Sequence, residues 1–386
     1  MTDKTKRKVN PRRRLLFRLI FGIGVLVTLI ASGVYLLRPT GAQIVFVAPD
    51  DNGVDNIWIA DLDNPENPRI VTDSEQGRLL SPFHVSETGY SLLYRIGDGD
   101  TRGLWRVNLN TGRNERVLPC DVQRQCDFIR LHSDGEWLAY LETIEERHNN
   151  EWHMNATMYV LNMETSNTYV VGAVEDTEYT GYRSSPMPQW LGQTDTLMFR
   201  SNYTQDVPEP YTFYHVEENR IVETRTLDAW FPWAEISDNG AYYVSGGGID
   251  LSAITVREIN NPEYIIATLT RPIEWREDHL YYIIEWHPDN ERVLLLYQFN
   301  FRNPAQGYHE LILYDVFTGN HETLIQSDTG HQYLSSTFNH DGSQLLFIDR
   351  NEVTSNHQIM IYDMETGELN ALPLSGYSPH WVNGGR

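Results

Sequence analysis

Leu131 to Tyr140 read LHSDGEWLAY, a histidine, a serine and an aspartate side by side, then a glycine and an apolar run. A hydrolytic triad is assembled in space from side chains that a scaffold holds apart, so three adjacent residues are a poor start for one. Asp-Gly between two apolar runs is instead a β-turn signal. The stretch also recurs. VSETGYSLLY (Val85 to Tyr94), EISDNGAYYV (Glu235 to Val244), WHPDNERVLLLY (Trp286 to Tyr297) and FNHDGSQLLFI (Phe338 to Ile348) share its form, and WLGQTDTLMF (Trp190 to Phe199) is a degenerate copy.

The turn positions fall at Gly89, Gly135, Thr194, Gly240, Asn290, Gly342 and a terminal Asn383-Gly384, with spacings of 46, 59, 46, 50, 52 and 42 residues. Such periods are those of propeller blades. A second turn lies between the hairpins, at Asp61, Asn108, Asn162, Val216, Ile259, Asp315 and Asp363, again seven copies. The segments around it (NIWIA, GLWRV, MYVL, LILY, IMIY) are short, β-branched and aromatic, and read as strands.

Four strands per repeat and almost no helix define an all-β chain. The first copy begins at a second strand, QIVFVAPDDNGVDNIWIADL, and the last, SPHWVNGG, stops after a first strand. Pairing these ends in one blade predicts a closed seven-bladed β-propeller over residues 43–386, with six or eight blades as the alternatives. Closure leaves no open sheet edge.

SDGEWLAY, HPDNERVLLLY and HDGSQLLFI, with their partners LILYDVFTG and IMIYDMETG, resemble the repeats of TolB-type (WD40-like) propellers, whose hairpin is Ser-Pro-Asp-Gly followed by an apolar strand. That resemblance implies the fold. It leaves function open, because such propellers serve both as periplasmic binding modules and as side domains of prolyl oligopeptidase-like enzymes.

Residues 1–42 hold nine of the 30 Lys/Arg and one of the 53 acids, which leaves 21 basic against 52 acidic residues beyond them. A basic tail (1–14) precedes LLFRLIFGIGVLVTLIASGVYLL, residues 15–37, interrupted only by Arg18. At about 1.5 Å per residue this predicts a transmembrane signal-anchor with the N-terminus cytoplasmic, a linker (38–42) and an extracytoplasmic propeller in the periplasm or extracellular space. A secreted protein cleaved near Thr40-Gly41-Ala42 is the alternative. The acidic domain disfavours nucleic acid as a partner.

No lysine follows Lys8, which excludes Schiff-base and phosphate-loop lysine chemistry. Cys120 and Cys126, the two cysteines, are expected to form a disulfide in an oxidising compartment. No G-x-S-x-G elbow is present, and SDGEW places Ser and Asp adjacent where a sialidase repeat spaces them. The stretch Glu142 to Ala156 carries Glu145, Glu146, His148, Glu151 and His153 without a recognised ligand spacing and is expected to be a solvated acidic loop. No cofactor or metal is implied.

The candidate ligand-binding face comprises Arg183, Trp190, Trp230, Trp233, Tyr281, Tyr282, Trp286, His380 and Trp381, near the axis, with the partner expected on the long-loop face. These residues point to a non-catalytic module for an envelope protein, peptide or glycan. A glycoside hydrolase or polysaccharide lyase using carboxylates at the channel mouth is the rival.

Overall fold

The computed structural model describes residues 42–72, 79–86, 91–97, 102–120, 124–148, 151–175, 188–200, 209–227, 234–247, 252–269 and 279–382. The predicted tail 1–14, span 15–37 and linker 38–42 except Ala42 lie outside them, as do Arg183, Trp230, Trp233 and Asn383-Gly384. Among the described residues no helix is long and apolar enough to cross a membrane.

Strands β1 to β28, numbered in chain order, form seven four-stranded antiparallel sheets, and these are the seven blades. Blade I has the order β28 (Tyr377–Val382), β1 (Gln43–Pro49), β2 (Asp55–Asp61), β3 (Arg69–Ile70), so its innermost strand comes from the far end of the chain. Trp381 sits opposite Ile44 and His380 opposite Val45. Blades II to VII follow in sequence, with innermost strands β4 (Leu79–Val85), β8 (Arg124–Leu131), β12 (Gln189–Trp190), β16 (Ala234–Ile236), β20 (His279–Trp286) and β24 (His331–Phe338).

The near-continuous apolar runs of the second strands have a simple cause. Side chains alternate faces along a strand, and each blade is covered on both faces by its neighbours. In β1, Ile44, Phe46 and Ala48 pack against blade VII, whereas Val45 and Val47 pack against blade II. In β21 (Arg292–Phe299), Leu294 and Leu296 face blade VII, and Val293, Leu295 and Tyr297 face blade V. The core is a ring of seven apolar layers, one per blade interface.

The turns behave as the sequence predicts. Gly135 adopts φ +79°, and Asp134 Oδ1 accepts from the Glu136 N–H at 2.7 Å. In the second turns Asn108, Asn162, Asp315 and Asp363 accept from the N–H groups two and three residues ahead. These Asx turns explain why Asn or Asp opens that motif. Cys120 and Cys126 are disulfide-bonded across the link from blade II to blade III, their Cα atoms 5.8 Å apart.

One segment differs from expectation. Glu142 to Ala156 is not a loop but a continuation of paired strands, β9 (Trp137–His148) with β10 (Glu151–Asn162). Thr143, Ile144 and Trp152 are β-forming residues, and the ladder runs on through them to the His148–Glu151 pair.

Candidate functional site

Most of the inner strands carry a bulge close to their ends. The register slips between Leu80 and His84, Asp127 and Arg130, Ile283 and Glu285, and Leu334 and Thr337. Phe128, Ser335 and Ser378, at equivalent positions, have φ +51°. A bulge bends its strand and re-aims the side chains that follow. The residue just before the bulky one at or next to the end of each inner strand is polar in every blade: His84, Arg130, Gln189, Glu235, Glu285, Thr337 and His380. These seven positions form a ring at one end of the axis.

The bulky closing residue fastens neighbouring blades. Trp190 Nε1 donates to the Arg130 carbonyl, Trp286 Nε1 to that of Glu235 and Trp381 Nε1 to that of Thr337, each at 3.1 Å. The three indoles therefore tie β12, β20 and β28 to the inner strand of the preceding blade. Histidines add a second tie: His132 Nε2 donates to Thr194 O and His287 Nε2 to Gly342 O, both at 3.1 Å across a blade boundary. Their rings meet Trp190 and Phe338 edge-on, at 4.8 Å in both cases.

A cavity of about 410 Å³ opens at this mouth, with Glu235, Asp238, Glu285, Trp286, Thr337, His340, His380 and Trp381 in its wall. A smaller one of about 250 Å³ adjoins it, reaching His132, Ser133, Trp190 and Gly192. Both share Val85, Ile236 and Asp238. The mouth lies at the ends of the inner strands that lead into the first turns, opposite the connections between second and third strands, so Trp190, Trp286, His380 and Trp381 do not share the long-loop face on which the sequence places the partner.

Electrostatics single out the two glutamates. Each keeps some solvent access while protein surrounds it, as the wall of a channel does. Burial pushes the Glu235 carboxyl up to about 7, and the Arg130 charge opposes this only in part. Burial pushes Glu285 up to about 8; the Phe338 N–H and Thr337 hydroxyl donate to it, at 3.3 Å for the hydroxyl, and the charges of Asp238 and Glu235 add to the rise. Desolvation holds His380 down at about 4, so it is neutral at ordinary pH. Asp238 is raised by burial against the pull of His340 and His287. The mouth is thus an enclosed, incompletely ionised acidic site, able to exchange protons near neutrality.

No family model matches the sequence. No curated protein matches it either. Solved structures do. The acylaminoacyl peptidase of Pyrococcus horikoshii is similar at 14% identity and a TM-score of 0.57, over 87% of this chain and 50% of that one. A puromycin-hydrolyzing peptidase of Mycobacterium tuberculosis matches at 12% identity and 0.55, over 87% and 54%. TolB from Acinetobacter baumannii matches at 13% and 0.45, over 88% and 66%. The likeness to the two peptidases is one of fold. This chain spans half to two thirds of the length of those proteins.

Of the sequence-predicted residues, Trp190, Trp286, His380 and Trp381 are brought to the mouth. Tyr281 is instead buried in the layer between blades V and VI, and Tyr282 packs into the layer between VI and VII. Sequence reasoning missed Arg130, Glu235, Asp238, Glu285 and His340. The signal was available for the ring: the letter preceding Val85, Leu131, Trp190, Ile236, Trp286, Phe338 and Trp381, near the ends of the first strands, is polar seven times over.

Proposed function

We propose that the protein is a non-catalytic binding module, an extracytoplasmic propeller with TolB-type repeats held at the cell envelope by residues 15–37, and that its axial mouth receives a cationic side chain of a partner protein or peptide. One observation carries this reading: Glu235 and Glu285 face the same 410 Å³ cavity, both raised in pKa by burial, Glu285 further by the charges of Asp238 and Glu235. An entering guanidinium or ammonium relieves that penalty and ionises both carboxyls. Trp286 and Trp381 supply apolar walls for the stem of such a side chain.

The test is calorimetric titration of the detergent-solubilised full chain with Arg- and Lys-containing peptides at pH 6 and 8.5. Tighter binding at the higher pH is expected, with loss of that difference in Glu235→Gln/Glu285→Gln. Equal binding by the double variant sinks the idea.

A second reading has its own support, because Glu235, Asp238, Glu285, His340 and His380 converge on one cavity, as a propeller hydrolase or lyase acting on a polysaccharide requires. Turnover of any member of a uronate and neutral-glycan panel, abolished in Glu285→Gln, would favour it over the binding module.

A further inference from the structure

Two first turns carry a buried histidine with an aspartate two residues on. In blade VI, His287 Nδ1 lies 3.0 Å from Asp289 Oδ2. The chain supplies a cation there: Arg292 Nε is 2.7 Å from Asp289 Oδ2, and its Nη2 lies 3.1 and 3.3 Å from the two ring nitrogens. The next blade presents Ser343 alongside, one residue after the Gly342 carbonyl that the histidine contacts.

Blade III has the same turn with the charges rearranged. His132 is 3% exposed, and its Nε2–H donates to Thr194 O. A carbonyl only accepts, so Nε2 carries a proton, and in the neutral imidazole the lone pair is then on Nδ1. That Nδ1 lies 2.8 Å from Asp134 Oδ1 without the alignment of a hydrogen bond. The position of Arg292 is taken by Trp137, and that of Ser343 by Asp195. A ring nitrogen of His132 and one oxygen from each of Asp134 and Asp195 all lie within 4.8 Å of one another. One blade pairs a His–Asp set with a guanidinium; the other removes the guanidinium and adds a second carboxylate.

We propose that His132, Asp134 and Asp195 bind a divalent transition-metal ion, with Zn²⁺ or Mn²⁺ as the chemical class, where blade VI uses Arg292. One imidazole nitrogen with two carboxylate oxygens suits these ions better than Ca²⁺. The Thr194 carbonyl on Nε2–H is the outer partner that orients a ligating histidine. Asp134 is 40% exposed, which leaves coordination positions for water. Because the ligands come from two first turns, the ion fastens blade III to blade IV. None of its three ligands is one of the axial carboxylates Glu235, Asp238 and Glu285.

The experiment uses the EDTA-treated full chain in detergent, titrated with Zn²⁺, Mn²⁺ and Ca²⁺ by calorimetry and followed by thermal unfolding. One Zn²⁺ per chain bound more tightly than Ca²⁺ is expected, with a metal-dependent rise in Tm of about 2 °C or more at saturation. Asp195→Ser, which installs the residue blade VII already carries at that place, should weaken this binding at least about tenfold. Asp134→Asn should do the same, which guards against one variant misfolding, and both should keep the metal-free Tm. Co²⁺ should give visible ligand-field bands in the wild type that both variants lose. Absence of binding, or wild-type affinity in both variants, overturns the proposal; in that case a proton on Nδ1, paired with Asp134, is the occupant.

Discussion

At the scale of single residues, burial and backbone shape make two predictions. Glu285 and Glu235 have folded-state pKa values of about 8 and about 7 against an ordinary 4.5. The folded protein therefore holds protons that the unfolded chain has released between pH 4.5 and 8, and stability falls as pH rises through that window. Tm measured from pH 5 to pH 9 should decline across it, and Glu285→Gln should flatten the decline; a slope unchanged by that variant would contradict the assignment. Gly192 makes the second case. Its φ is +57°, and a Cβ there would sit 1.7 Å from the Asp238 carbonyl oxygen of the next blade. Gly53, at φ +77°, has open space around it. Gly53→Ala should cost about 1 kcal/mol for the backbone alone, and Gly192→Ala more than about 3 kcal/mol because backbone must move. Equilibrium urea unfolding separates the two.

At the scale of strands and turns, the inner-strand indoles are fasteners as well as walls. Replacing Trp190, Trp286 or Trp381 with Phe keeps most of the apolar contact and removes one interblade hydrogen bond, leaving a carbonyl to find water. Each should lower stability by about 1 kcal/mol in denaturant titrations. The distribution of what was legible follows from the same strands. Turns and second strands were readable because their signals are local: Asp-Gly, Asx turns and apolar runs of fixed length. The polar ring was not. A bulge shifts the alternation just before Arg130, Glu285 and Thr337, so period-two reasoning aims those side chains at the wrong face. The ring also uses His, Arg, Gln, Glu and Thr at one structural position, so no repeated letter marks it. Trp286, Trp381 and His380 were recognised as axial because they occupy strand ends. Tyr281 and Tyr282 were not distinguishable from them by residue type, and only packing shows that they fill blade interfaces.

At the scale of the whole molecule, seven apolar layers close into a ring, and the layer between blades VII and I depends on both chain ends. Ile44, Phe46 and Ala48 meet Leu346, Ile359 and Ile361 there, with Trp381 against them. Removing residues 373–386 deletes β28 and opens blade I. The expected result is loss of a single cooperative unfolding transition and gain of self-association through the freed edge of β1, seen by calorimetry and by light scattering.

The pairing of Ile44 with Trp381 also bears on how fast the ring forms. It joins the most sequence-distant strands in the fold, so its loop-closure entropy is the largest and its formation comes late. A chain still being synthesised has six blades to build before the seventh has its inner strand. Its apolar β1 stays uncovered throughout that interval. A circular permutant that makes β28 and β1 consecutive turns this last, long-range step into a local hairpin. It should refold faster than the natural order in stopped-flow fluorescence, while reaching the same final structure.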